Sequence, residues 1–400
     1  MGDEREAHEP INALLRAEFT RRRALRYGAG AAAGLALPGF LAACGGDDAS
    51  TTSSTTAASG AAPKPTGTID FFGWEGEDLK DVSAIQTLLK SNGADLKASF
   101  MPTLDDITPK LQSSEGTDLL AYTSIVTERL QTADLLQPIP PEKVPNVSGL
   151  LPLWQEDNPQ WIEDGQRLFV PSFFQTFSLI YNSDEISDPP SEYRGLLEPE
   201  YKDQIVTWAE PNGAFGVLSA MLDIEQGKVP KDRLDELADL FAQFIAQSKS
   251  VAASPGDIVT QLVAGEVNAV FLGTPQFTLF ANGAGSNGAA ARDVVDVQNG
   301  NMSFTDGYGV PAGADNADSA FAFINAILEP KTNAAISEAF AGGVVVEGAE
   351  EFLPKDRQLY PADDLDTIFE TAPLQVLAPL ESDEYVTQGE WIERFTQLTS

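Results

Sequence analysis

Residues 68–123 read TIDFFGWEGEDLKDVSAIQTLLKSNGADLKASFMPTLDDITPKLQSSEGTDLLAYT. Ile69–Phe72 is a short apolar run of strand length. Leu79–Lys90 spaces its apolar residues as a helix does, Leu96–Phe100 reads as a strand and Leu104–Gln112 as a helix. Leu119–Tyr122 is a third strand, followed by a helix through about Ala133. Strands alternating with helices predict an α/β fold with a parallel sheet covered on both faces. The same reading continues outward. Strands are expected at Leu168–Val170, Leu179–Tyr181, Ile205–Trp208, Val267–Leu272 and Tyr308–Pro311. Helices are expected at Phe215–Ile224, Arg233–Ala246, Ile258–Ala264, Ser319–Leu328 and Thr332–Phe340. Pro138–Pro145 and Pro189–Pro190 read as loops rather than domain linkers.

The N-terminus carries an address. Residues 20–44 run from Thr-Arg-Arg-Arg-Ala-Leu-Arg through a Gly/Ala/Leu-rich stretch to Leu41-Ala42-Ala43-Cys44. A basic segment, an apolar run and small residues before a cut follow secretory grammar, and paired arginines point to the twin-arginine route. Ala24 stands where that signal more often has Phe. Residues 1–43 are therefore expected to be an export signal. Leu41–Cys44 resembles the bacterial lipobox, which implies that Cys44, the sole cysteine, is the lipidation site and mature N-terminus. Residues 44–67 hold Gly, Ser, Thr, Ala and Pro with little of any size to bury, which predicts a flexible tether. The expected location is extracytoplasmic and lipid-anchored.

Composition excludes several chemistries. From Cys44 onward the chain carries 55 acids against 19 bases, a net charge of −36. Phosphate backbones would be repelled, so nucleic acid is excluded as a partner. The acidity is compatible with a cationic ligand, and it suits a solubility or salt adaptation of the whole surface more simply. The only histidine, His8, lies in the export signal. Ser-His-Asp and Cys-His nucleophilic sites and His/Cys zinc sites are thus absent from the body. No Walker or dinucleotide fingerprint appears. No catalytic residue, cofactor or metal ligand is expected, although a carboxylate-based hydrolase on the same tether remains an alternative.

Six separated segments carry a resemblance, in order. They are Ile69–Glu75, Thr117–Ile139, Val170–Asn182, Leu197–Asp203, Gly265–Ala269 and Asp306–Pro311 with the following Ala320–Leu328. Together they resemble the extracellular solute-binding proteins of bacterial ABC importers, most closely the spermidine/putrescine-binding type. The resemblance implies a type II periplasmic-binding-protein-like fold: two α/β lobes, two crossover strands and a ligand cleft between the lobes. It implies residues 68–174 and 274–315 in lobe 1, and 175–273 and 316–400 in lobe 2. It also implies a small-molecule solute, a membrane permease as partner, and a monomer.

The resemblance implies a set of cleft residues. Trp74 falls where an aromatic meets the ligand's methylenes, with Glu75 and Glu77 on the same turn. Thr123 and Ser124 fall at a hydroxyl-bearing motif whose tyrosine position is Ile125 here. Phe174 replaces the crossover tryptophan. Trp208 precedes Glu210, which falls at an amine-binding carboxylate. Asp306 and Tyr308 lie on the late strand. Simpler roles stay open for several of them. Trp74, Phe174 and Trp208 suit a core as well as a cleft wall. Glu210 before Pro211 can cap a helix, and Asp306 before Gly307 can sit in a turn. Two departures matter. Gly213 stands where the family has a second carboxylate, and Gly273-Thr274-Pro275 replaces a Trp-x-Asp. A long polyamine needs an acid at each end, so these losses favour a compact or singly charged amine, and a non-polyamine ligand stays open.

Overall fold

The computed structural model describes residues 63–400, apart from 102, 114–115, 286–287 and 294–299. The expected export signal, Cys44 and the expected tether as far as residue 62 lie outside the described residues. Among the described residues the strands are, in chain order, β1 (Thr68–Gly73), β2 (Asp95–Phe100), β3 (Leu119–Thr123), β4 (Leu136–Gln137), β5 (Ile162–Glu163), β6 (Gln166–Arg167), β7 (Val170–Thr176), β8 (Ser178–Asn182), β9 (Ile205–Trp208), β10 (Ser250–Ala252), β11 (Ala269–Gly273), β12 (Ala289–Asp293) and β13 (Ser303–Pro311).

Two sheets organise the body. The first has the order β2-β1-β3-β13-β4, with β7 also paired to β13. β1 runs parallel to β2 and β3, while β13 returns antiparallel, with Asp306 opposite Thr123. β3 is buried at every position because both sheet faces are covered. β2 is the edge, and its exposed Lys97 pairs with Asp70 at 3.0 Å, a charge that discourages further strand pairing. The core of this lobe is built from Ile69, Phe71, Trp154, Phe174, Phe323 and their neighbours.

The second sheet has the order β10-β9-β11-β8-β12. Its main core gathers Tyr193, Phe215, Phe241, Phe244, Phe271, Trp391 and Phe395. Phe244 and Phe271 stack face to face at 3.8 Å. The C-terminal helix Gln388–Thr399 packs here against the helices Leu234–Gln247 and Pro211–Met221. Four helices, starting at Pro211, Pro255, Pro275 and Pro330, place proline in their first turn, where its missing N–H has no helical partner to lose.

The lobe boundaries differ from the expected ones. The helix Pro275–Gly283 buries Phe277 and Ala281 against the second sheet, with Ile180, Val206 and Val270. The helices Ala317–Ile327 and Pro330–Phe340 bury Phe323, Ile324 and Ile336 in the first core instead. Only from about Ala378 does the chain rejoin the second core. The expected tether is also shorter. Pro65 is buried, and the Thr66 N–H donates to Ser319 Oγ at 2.8 Å.

The chain crosses between the sheets at Phe177, at Met302 and again after Pro373. The Phe177 N–H donates to the Met302 carbonyl (2.8 Å). Ser303 N–H donates to Pro373 and Gln375 N–H to Ser303, at 3.0 and 2.8 Å. Tyr360 hydroxyl and Thr176 Oγ1 share a hydrogen bond of 3.0 Å. The three crossings are therefore laid side by side.

Phe174 packs on Trp154, Tyr360 and Phe369 with ring centroids 5.0–5.4 Å apart and no exposed surface. Of its two open roles the structure gives it the core. Phe174→Ala should lower unfolding stability by about 3–5 kcal/mol in denaturant titration. A loss below about 1 kcal/mol would show that the site collapses without cost.

Candidate ligand-binding site

The first lobe presents its strand ends to the second. β1 stops at Gly73, where a Cβ would come within 2.6 Å of Ala121, so no side chain fits. The next turn, held by Glu77 N–H to Trp74 carbonyl and Leu79 N–H to Gly76 carbonyl, points the chain back over the sheet edge. Glu77 is only 2 % exposed and Asp306 only 6 %. Asp306 is not in a turn. It stands within β13 beside a register shift, the kind of irregularity that re-aims a side chain.

These two carboxyl groups are electrostatically coupled. Burial pushes Asp306 up to about 7 against a hydrogen bond from Thr123. Burial and the nearby Asp306 charge push Glu77 well above the carboxylate range. Asp306 Oδ1 and Glu77 Oε2 are buried with no hydrogen-bond partner, and among the described residues neither acid is in an ion pair. A buried oxygen left bare is costly.

The neighbouring expected residues divide. Trp74 is half-buried on the first core, and Glu75 is exposed. Ser124 is fully buried, its hydroxyl donating to Gln160 Oε1 at 2.7 Å. Tyr308 departs from the expectation of a cleft contact. It is enclosed, packs on Phe323 and donates its hydroxyl to the Glu77 carbonyl at 2.6 Å, so it braces the turn from below.

On the second lobe, Trp208 is half-buried with its ring edge-on to Phe277. Glu210 caps the helix Pro211–Met221. Its carboxylate accepts from the Asn212 N–H and side-chain amide, each at 3.1 Å, and from the Gly213 N–H. At Gly213, where the resemblance would place a second carboxylate and this chain has none, a side chain has no room, because a Cβ would lie 2.7 Å from the Phe177 ring. Thr274 sits at the start of the helix Pro275–Gly283, and its hydroxyl is buried without a partner.

A polar relay missed in the sequence joins the lobes. Arg129 pairs with Asp105 at 3.0 Å and donates to Gln388 Oε1 at 3.2 Å. The Gln388 amide donates to Asn212 Oδ1 at 3.4 Å. Burial raises the Glu210 pKa against its hydrogen bonds from Gly213 and Asn212, and the Asp105 charge adds a little to the rise. Among the described residues, no group of three or more His, Cys, Asp or Glu side chains is placed to hold a metal ion. Nor is any helix there long and apolar enough to cross a membrane.

Two outcomes follow from this geometry. Glu210→Ala should cost about 0.5–2 kcal/mol of stability through the lost cap, read by thermal or denaturant unfolding. An unchanged midpoint would remove the capping role. The second concerns pH. The folded protein holds the Asp306 proton more tightly than an unfolded chain, so this contribution is complete below the ordinary value of 3.8 and is lost as pH rises through about 7. The melting temperature of Asp306→Asn relative to the unsubstituted protein should therefore increase between about pH 4 and about pH 7. A flat difference would mean that Asp306 ionises freely in the fold.

Residues 83–361 match the family model described as bacterial extracellular solute-binding protein. The Streptococcus pneumoniae PotD spermidine/putrescine substrate-binding protein is similar in structure, with TM-score 0.66 and 17% identity over 83% of this chain and 97% of that one. The Tp0655 (TpPotD) lipoprotein of Treponema pallidum gives 0.67 and 16% over 83% and 98%. The GacH receptor of Streptomyces glaucescens, known in complex with acarbose, gives 0.63 and 14% over 84% and 93%. At such identities the likeness shows a shared fold. No curated protein sequence matches the chain. With the family model covering more than half of its length, this chain belongs to the bacterial extracellular solute-binding proteins, which bind substrates and are not enzymes.

Proposed function

We propose that this protein captures a small cationic solute outside the cytoplasm and hands it to the permease of an ABC importer. The observation that carries this reading is the buried pair Glu77 and Asp306, each with a bare oxygen at the strand-end edge of the first lobe. Two acids packed together away from water resist ionisation. A ligand ammonium between them would offset their charge and satisfy those oxygens together. The half-buried ring of Trp74 at the end of β1 suits the same ligand, since an aromatic face attracts a cation by about 0.5–2 kcal/mol. The Streptococcus pneumoniae neighbour is described as a spermidine/putrescine substrate-binding protein and GacH is known in complex with acarbose, so the fold leaves ligand choice to the site. We assign the carboxylate pair that choice.

Calorimetry and thermal shift against amines, amino acids and neutral sugars test the reading. A matching cation at about a hundred times its Kd adds roughly 2.7 kcal/mol of stability. Its affinity should increase as pH rises through about 7, because the acids must ionise to hold it. A neutral sugar that stabilises the protein while no amine does would overturn the proposal.

The tether belongs to the same proposal. Cys44, behind Leu41-Ala42-Ala43, is proposed to carry a lipid that holds the protein at the outer face of the cytoplasmic membrane. Cys44→Ser should move the protein from the membrane fraction to the soluble one with its body still folded. Retention in the membrane at the unsubstituted level would mean another anchor.

A further inference from the structure

We propose that Arg129 is a resident cation that occupies one end of the lobe interface and so restricts the ligand to a single cationic group. The inference rests on the cation reading above. Arg129 belongs to the first lobe, on the helix Thr127–Thr132 that follows β3. Its side chain is 15 % exposed. The guanidinium pairs with Asp105, donates to the Leu104 carbonyl at 3.2 Å and reaches across to Gln388 on the second lobe. Its Nε is buried without a partner. The relay continues from Gln388 through Asn212 to the Glu210 carboxylate.

The two acids at this end are therefore already satisfied. Asp105 has Arg129, and Glu210 has two backbone N–H groups and the Asn212 amide. Glu77 Oε2 and Asp306 Oδ1 keep bare oxygens for a ligand, and Asp78 Oδ1 beside Glu77 and Glu163 Oε2 are bare as well. A diamine anchored between Glu77 and Asp306 with its second ammonium toward Asp105 and Glu210 would meet two satisfied acids and a fixed guanidinium there. Arginine does not lose its proton in proteins, so that repulsion persists at every working pH. A buried ammonium without an anionic partner is strongly disfavoured. The discrimination is thus partly repulsive, as selective sites commonly are.

The test compares n-pentylamine with putrescine, two probes of matching length that differ by one ammonium. Calorimetry on the full chain should show that pentylamine binds at least as tightly as putrescine. In Arg129→Met the ratio should move at least tenfold toward putrescine, because Asp105 is then free. Arg129→Gln, which keeps a hydrogen-bond donor, gives the same reading should the methionine variant fail to fold. Arg129→Lys should retain the monoamine preference. An unchanged ratio in a folded Arg129→Met or Arg129→Gln protein, or at least tenfold tighter putrescine binding by the unsubstituted protein, overturns this inference alone. Absence of any amine binding in the unsubstituted protein and in all three variants overturns the cation reading together with it.

Discussion

The pairing of three chain crossings between the sheets is the constraint on which the rest of this molecule depends. Phe177 bonds to Met302, and Ser303 bonds to both Pro373 and Gln375. Thr176 meets Tyr360 across the same junction. Each lobe has its own core, so these bonds, together with the Arg129–Gln388–Asn212 relay, tie the two bodies to each other. With them, the strand ends of both sheets are held toward each other. Parallel strands end where helices begin, and β9 and β11 run in this way into the helices Pro211–Met221 and Pro275–Gly283.

What distinguishes that gap is the unequal treatment of its acids. Glu210 spends its oxygens on the first turn of a helix, and Asp105 on an arginine. Glu77 and Asp306 are buried with one oxygen each left bare. In a chain so rich in acid, bulk charge says little about any one site. Desolvation separates these two carboxyl groups from the solvated acids of the surface, and it does so through position in the fold.

Much of the fold was legible because apolar runs and helical spacing report burial directly. β1 and β3 appear within a residue or two of their expected limits, as does β9. Elsewhere polarity hid structure. β13 starts at Ser303, yet only its apolar end at Tyr308–Pro311 read as a strand. Its first half is Ser-Phe-Thr-Asp-Gly, and neighbouring strand β7 pays no heed to that polarity because backbone pairing satisfies it. The C-terminal helix went unread although Thr387 and Glu390 form a reciprocal cap. The helix Pro275–Gly283 began at a Thr-Pro that resemblance had cast as a lost ligand motif. Within the site, Glu77, Glu210 and Asp306 were legible by resemblance, whereas their differing hydrogen bonding was not. Arg129 and Gln388 are 259 residues apart, and only the completed fold brings them together.

The docking of the N-terminal segment has a mechanical consequence. Thr66 is stitched to Ser319, and the Asn316 side-chain amide donates to the carbonyls of Thr66 and Thr68. Any tension on the upstream chain therefore enters through the first lobe, at the helix Ala317–Ile327, and bypasses the junction. Nineteen residues from 44 to 62 can reach at most about 65 Å. With Cys44 held at a surface, the first lobe would act as the stator on a short leash, leaving the second as the part that turns about the junction.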